Sequence, residues 1–286
     1  MIGRCLLALA GALALTGCGA PEQKWPPPSP ALWEVTGGDG AKGWLFGTIH
    51  ALPEGAGWDT ATLDAALGQS GVLVVEIANL KDPHAAAMAY GEAATSTDLP
   101  PLMQRVPPQD RPELAAALER VGFDDADFRY TDSWAVALDI ANAARSGEFD
   151  NGVDRGLLGR GLPTIGLERF ADQFTMMDRL APDDQAVLLM EAARDSTEAT
   201  KRALVEAWLT GDLAALERKM QGGMLTDPEL RQALLVARNQ AWTERIAELL
   251  VQRRRPFVAV GAAHMLGDDG LPALLAARGY TVRRIQ

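Results

Sequence analysis

The sequence predicts an α/β fold: a mixed sheet formed by N- and C-terminal strands, with a largely helical middle insertion. Three observations lead there. Short apolar, β-rich runs cluster at the two ends of the chain, at "LWEVT", "GWLFGT" and "VLVVEI", and again at "FVAVG" and "YTVRRI". Between them the apolar residues recur at helical spacing, as in Leu114, Leu118 and Val121 or Trp134, Leu138 and Ala141. The two ends also share a pattern, an apolar run broken by Gly-x-x-His, in "FGTIH" (46–50) and "VGAAH" (260–264). Strands at both ends and helices between them fit one sheet closed by the two termini of the domain.

Taken in order, Gly37 to Gly43 reads as the turn of a hairpin between the first two strands. Asp59 is placed to cap a helix carrying Leu63, Ala66 and Leu67, with Gly68 as its stop. The continuous apolar run "GVLVVEI" is typical of a strand buried on both faces. "GLPTIGLE" reads as a short strand ending at Glu168. Pro182 opens a long alanine-rich helical stretch carrying Leu204 and Trp208. Trp242, Ile246, Leu249 and Leu250 define a further amphipathic helix. The arginines at 253–255 read as its basic C-terminus, where the helix dipole favours cations.

The chain has 286 residues, 48% of them hydrophobic, enough for a substantial core. A formal net charge of −11 argues against nucleic acid as a partner. The two cysteines, Cys5 and Cys18, both precede the body of the domain, which therefore holds no disulfide. Arg4 and the apolar run Leu6 to Leu15 lead to "LTGC", which is similar to a lipoprotein processing site. Residues 1–17 are thus expected to be a signal peptide. Cys18 becomes the lipidated N-terminus, residues 18–30 a proline-rich tether, and residues 31–286 the domain. The domain is expected to be periplasmic and held at a membrane through the lipid. Gly19 after the cysteine favours the outer membrane over the inner.

The polar residues that end apolar strands are His50, Glu76, Glu168 and His264. Sites in open α/β sheets gather at the carboxyl ends of strands. Side by side, two imidazoles and one or two carboxylates suit Zn²⁺ or a similar divalent ion. Each histidine taken alone has a plainer reading, as a cap or a satisfied strand end. Asp150 and Asp154 flank Asn151-Gly152, a pattern that also makes a turn. Arg238 and Asn239 lie within a helix, where such a pair commonly faces solvent. His84, in the first turn of an exposed helix, is not assigned to the site.

Six pieces of the sequence, in order, carry a resemblance: "LFGTIHALP", "VLVVEI", "FDNGVD", "GLERFADQ", "RNQAWTERI" and "VGAAHMLGDDGLPALLAARGYTVRRI". The body from Leu32 to Gln286 resembles the TraB/GumN family, related to the TIKI-type membrane metalloproteases. The resemblance implies an α/β core with one site built from both Gly-x-x-His motifs and a glutamate. His50, Glu76 and His264 fall on those positions, and Glu168, Asp150, Asp154, Arg238 and Asn239 match further motif positions. It implies a metal-dependent hydrolase, peptidase-like, with Zn, Mn or Co at His50, His264, Glu76 and Glu168. Glu76 would act as ligand or general base, and Arg238 or Asn239 would face the developing oxyanion. The substrate is a peptide or another small molecule. Two alternatives remain open. Erythromycin-esterase-like proteins of the same superfamily imply a histidine base without metal. A distant relation to haem-binding lipoproteins implies a binding protein, although Tyr90, Tyr130 and Tyr280 lie in no recognisable haem-ligand setting.

Overall fold

A computed structural model describes residues 24–286, apart from 39, 146, 195, 196 and 221. Cys18 and the expected signal peptide lie outside the described residues. Six strands form one mixed sheet: β1 (Leu32–Thr36), β2 (Lys42–Thr48), β3 (Val72–Ile77), β4 (Thr164–Glu168), β5 (Pro256–Gly261) and β6 (Thr281–Arg284), in the order β4-β3-β5-β2-β1-β6. The four strands β4, β3, β5 and β2 run parallel, while β1 and β6 pair antiparallel at the other edge. The chain-terminal strands thus share the sheet, as the sequence predicts. Parallel neighbours end together, and the register pairs Thr48 with Gly261 and Ile77 with Glu168. One edge of the sheet therefore carries the ends of all four.

The sheet is covered on both faces, which is why β3 and β5 are apolar without alternation. Leu73, Val75, Phe257 and Ala259 pack on one side, with helices Ala61–Gln69, Val153–Leu158 and Glu198–Leu209. Val72, Val74, Val258 and Val260 pack on the other, against helices Ala237–Val251 and Leu271–Ala277. A separate apolar cluster holds the middle helices together. Its centre is Trp134, Leu114, Leu118 and Leu189, from Arg111–Val121, Ser133–Ala144 and Pro182–Ala193. No helix among the described residues is long and apolar enough to cross a membrane.

Several local expectations change. Thr60, not Asp59, caps the first helix, because its hydroxyl reaches the Leu63 amide (3.1 Å). Asp59 instead pairs with Arg160 across the surface. That helix runs through Gly68 to Gln69 and ends at Ser70. The stretch after Pro182 is two helices, Pro182–Ala193 and Glu198–Leu209. The arginines at 253–255 follow the helix rather than end it. Arg253 and Arg255 take left-handed backbone (φ 55° and 49°), turning the chain into β5. Residues 24–30, within the expected tether, lie against the body. Trp25 donates its indole N–H to the Glu54 carbonyl (3.3 Å) and sits beneath the Arg202 guanidinium, and the Ser29 amide donates to Leu209 (2.6 Å).

Candidate active site at the carboxyl edge of the sheet

The four strand-end residues converge. A Cβ built on Gly261 would stand 3.2 Å from Glu76 Oε1, 3.7 Å from His264 Cδ2 and 3.9 Å from His50 Nε2. The absence of a side chain at Gly261 keeps this space open. At Gly47, in the first Gly-x-x-His, a Cβ would come within 3.0 Å of Ala262 Cα, so that glycine lets the two motifs touch. The apolar runs break into Gly-x-x-His because the chain presents two imidazoles around one shared gap.

His50 is oriented from below. Its Nδ1–H donates to Asp154 Oδ2 (2.8 Å), and the Thr48 hydroxyl donates to Asp154 Oδ1 (2.7 Å). Asp154 itself is almost fully buried, at 6% exposure. It reaches this place because residues 148–153 run alongside the end of β2. Glu148 N donates to Leu52 O and Val153 N to Ile49 O. Gly152 is essential to this approach, since a Cβ there would lie 2.0 Å from the His50 carbonyl oxygen. The Asn-Gly turn and the functional reading of Asp154 are therefore the same feature. Burial works to lower the His50 pKa, but the bond to Asp154 and the charges of Asp154 and Glu76 outweigh it, raising it to about 9. The ring is 58% exposed, so Asp154 rather than desolvation decides the direction. Nε2 points away from this pair and is free for chemistry.

His264 is the opposite case. It is buried, its ring lies 4.4 Å from that of Trp242, and its Nδ1–H donates to Asn239 Oδ1 (2.6 Å). The tautomer follows from Asn239, whose Nδ2 already donates to the Asp269 carbonyl (2.7 Å) and whose Oδ1 must therefore accept. Burial, with the charges of Arg238 and His50, outweighs Glu76 and lowers the His264 pKa to about 4. The ring is neutral, with its Nε2 lone pair 3.3 Å from Arg238 Nη1.

Arg238 is the hub. Its Nε and Nη2 grip Glu168 in a two-point pair (2.9 Å each), Nη2 also donates to Glu76 Oε2 (2.9 Å), and Nη1 donates to Leu234 O (3.0 Å). Trp242 stacks beneath the guanidinium at 4.6 Å. Glu76 accepts in addition from the Gly261 amide (2.7 Å) and from Gln173 (3.3 Å). Burial opposes its charge, but Arg238, both imidazoles and the Gly261 amide hold its pKa below the usual value. The charged form of Arg238 is likewise favoured by both glutamates against desolvation. Neither Arg238 nor Asn239 lies on a solvated helix face. All five Arg238 N–H groups meet internal partners, and Asn239 is fully buried with its Nδ2 on the Asp269 carbonyl. They position His264, Glu76 and Glu168. Asp150 is not brought in, because its side chain is 93% exposed and pairs with Arg155 (3.7 Å). Three contributors carry no site signal of their own in the sequence: Thr48, Gln173 and Trp242, the last of which reads there only as part of an apolar helix face. All three stand inside motif pieces already quoted, "LFGTIHALP", "GLERFADQ" and "RNQAWTERI".

The fit of a divalent ion can be tested on the donors. Both imidazoles turn Nε2 toward the gap with Nδ1 held by a second residue, as metal-ligating histidines do. Against this, the guanidinium faces His264 Nε2 and covers Glu76 Oε2. Among the described residues no group of three His, Cys, Asp or Glu side chains is arranged to hold a metal ion. The donors match a metal in kind, but not in arrangement while Arg238 holds its place.

Among curated proteins and among solved structures, none matches the chain. A family model does, over residues 31–284, nearly the whole described body. With its two Gly-x-x-His motifs facing each other across one gap, the chain belongs to the TraB/PrgY/gumN family.

Proposed function

We propose that this protein is a hydrolase of acyl bonds, amide or ester, in which His50 activates water. The observation that carries this reading is the Thr48–Asp154–His50 chain of hydrogen bonds, which leaves Nε2 free at the Gly261 gap. Above pH about 9, where the ring is neutral, Asp154 fixes the tautomer and stabilises the imidazolium that forms when Nε2 takes the proton from water. Water then attacks the carbonyl carbon, and the imidazolium returns the proton to the leaving group. Glu76, Glu168 and Arg238 form a rigid charged wall opposite. His50→Ala should abolish hydrolysis, and chelation should leave it intact. An activity that survives His50→Ala would sink this assignment.

A metal-assisted form of the same reaction is favoured by one feature, the paired Nε2 atoms with anchored Nδ1 positions. His50, His264 and Glu76 would hold Zn, Mn or Co once Arg238 left His264, and the metal would supply Lewis-acid chemistry. Metal analysis of the purified protein addresses it. Equal, negligible metal in wild type and in His50→Ala/His264→Ala would remove this second reading.

The expected location rests on the "LTGC" processing site, with the mature chain lipidated at Cys18 and facing the periplasm. Cys18→Ser should release the exported domain from the membrane fraction, which fractionation and mass spectrometry of the N-terminus would read.

A further inference from the structure

A large cavity of about 610 Å³ opens beside the histidines. Ile49 and Ala51, on either side of His50, and Ala262 and Ala263, before His264, are among its walls. The rest is mainly alkyl: Leu138, Leu188, Leu204, Leu216, Met224 and Leu266, drawn from the helical middle and from the loop after His264. Leu204 leaves 40% of its surface to solvent here, although it stands in a helix whose Val205, Trp208 and Leu209 are buried. Four cations border the cavity, Arg120, Arg145, Arg194 and Lys201, against one carboxylate, Glu191. With Glu148 and Glu198, which pair with Arg145 and Lys201, counted as well, the local excess is one positive charge, four cations against three carboxylates, in a chain with formal net charge −11.

We propose that this cavity binds the alkyl chain of a small anionic amphiphile, a fatty-acyl group carrying or attached to a negative charge. Its volume lies in the range of small-molecule sites. The alkyl walls match a hydrocarbon chain. They do not match a peptide, whose amides would be buried without partners because the polar side chains here stand only at the border. The cations complement an anion. Arg194, Lys201 and Arg145 have carboxylate neighbours (Glu191 at 2.7 Å, Glu198 at 2.9 Å, Glu148 at 3.6 Å), but these are solvent-exposed pairs of the weak kind. Because the cavity shares its walls with both histidine loops, the bound chain is the acyl part of the substrate. That last step rests on the hydrolase reading; the binding itself does not.

The test is therefore binding first. Saturated fatty acids from hexanoate to laurate, below their micellar concentrations, are titrated into the intact protein by calorimetry. One saturable site is expected, with affinity rising about two- to fourfold per added methylene until the cavity is full. The neutral methyl esters should bind several-fold more weakly, and so should laurate to Arg194→Glu/Lys201→Glu. Leu204→Asp, at a half-exposed position, should weaken laurate about tenfold or more with an unchanged circular dichroism spectrum. The length series on wild type stands even if that variant misfolds. No saturable binding, or affinity indifferent to chain length, would overturn the proposal. So would laurate displaced by an apolar nonapeptide of equal or higher affinity, or binding confined to anionic phosphatidylglycerol vesicles. Binding without turnover of the corresponding p-nitrophenyl esters would keep the site and refute the hydrolase. Turnover of the acetate ester with no preference for longer chains would do the reverse.

Discussion

His50 and His264 share a sequence context and have opposite chemistry, and the difference lies in what each Nδ1 meets. Asp154 is a charged acceptor that favours imidazolium, whereas Asn239 is a neutral one in a buried setting. Replacing Asp154 by Asn removes the carboxylate that raises the His50 pKa. That pKa should fall from about 9 toward its ordinary value, which NMR titration of the His50 ring would measure. If His50 is the base, the rising limb of the pH–rate profile moves to lower pH by the same amount while the maximal rate drops, because the tautomer is no longer held. A limb that stays in place would detach the rate from His50. Arg238 makes a different demand. Arg238→Met strands Glu76 and Glu168, both nearly buried, so the loss should be about 3–5 kcal/mol in urea unfolding. Adding Glu168→Gln should recover part of it. Equal stability of single and double variants would show that the two charges do not depend on Arg238.

At the level of elements, the parallel strands brought the site together, and this much was legible beforehand. Apolar runs ending in His50, Glu76, Glu168 and His264 imply strands, and side-by-side parallel strands imply one edge. The second layer was less legible. Asn239 and Arg238 sit in a helix whose facing side depends on how it packs against β3 and β5, a long-range fact that a local pattern does not contain. Asp154 looked like part of a surface turn because Asn-Gly marks turns; the partner segment, 49–52, is about a hundred positions away in sequence. Helix ends carry the weakest signal in the sequence, since Asp59 and Thr60 are equally good caps by residue type and only the direction of the side chain separates them. The contact of 148–153 with the end of β2 yields a further prediction. Gly152→Ala forces a methyl onto the His50 carbonyl, where 2.0 Å leaves no room. It should cost about 1–3 kcal/mol and pull Asp154 away from His50. Gly57→Ala, where nothing lies within 4 Å, serves as the neutral control. Thermal melts of both, with the His50 titration as a second readout, would check it. A Gly152→Ala protein as stable as the control and with His50 unchanged would show that the segment can give way.

The whole molecule feels the two histidines through its pH stability. His264 binds its proton at about pH 4 when folded and near 6.5 when unfolded. Between those values the unfolded chain holds more protons, so stability falls as the solution is acidified through this window. Glu76, held below its ordinary value in the fold, adds to the same limb at its lower end. His50 has the reverse sign. Its folded pKa of about 9 lies above 6.5, so its contribution is complete below pH 6.5 and is lost as pH rises through about 9. Because the His50 ring is largely exposed, water screens that contribution and the alkaline limb should be the shallower one. The two limbs place maximal stability near pH 6.5, well above the sequence pI of about 4.8. Urea midpoints at pH 5, 6.5 and 9 would draw this curve. His264→Gln should flatten the acid side and leave the alkaline side, and His50→Gln should do the opposite. An optimum at pH 9, or a limb that keeps its slope when its histidine is gone, would mean that groups outside this site govern the pH response.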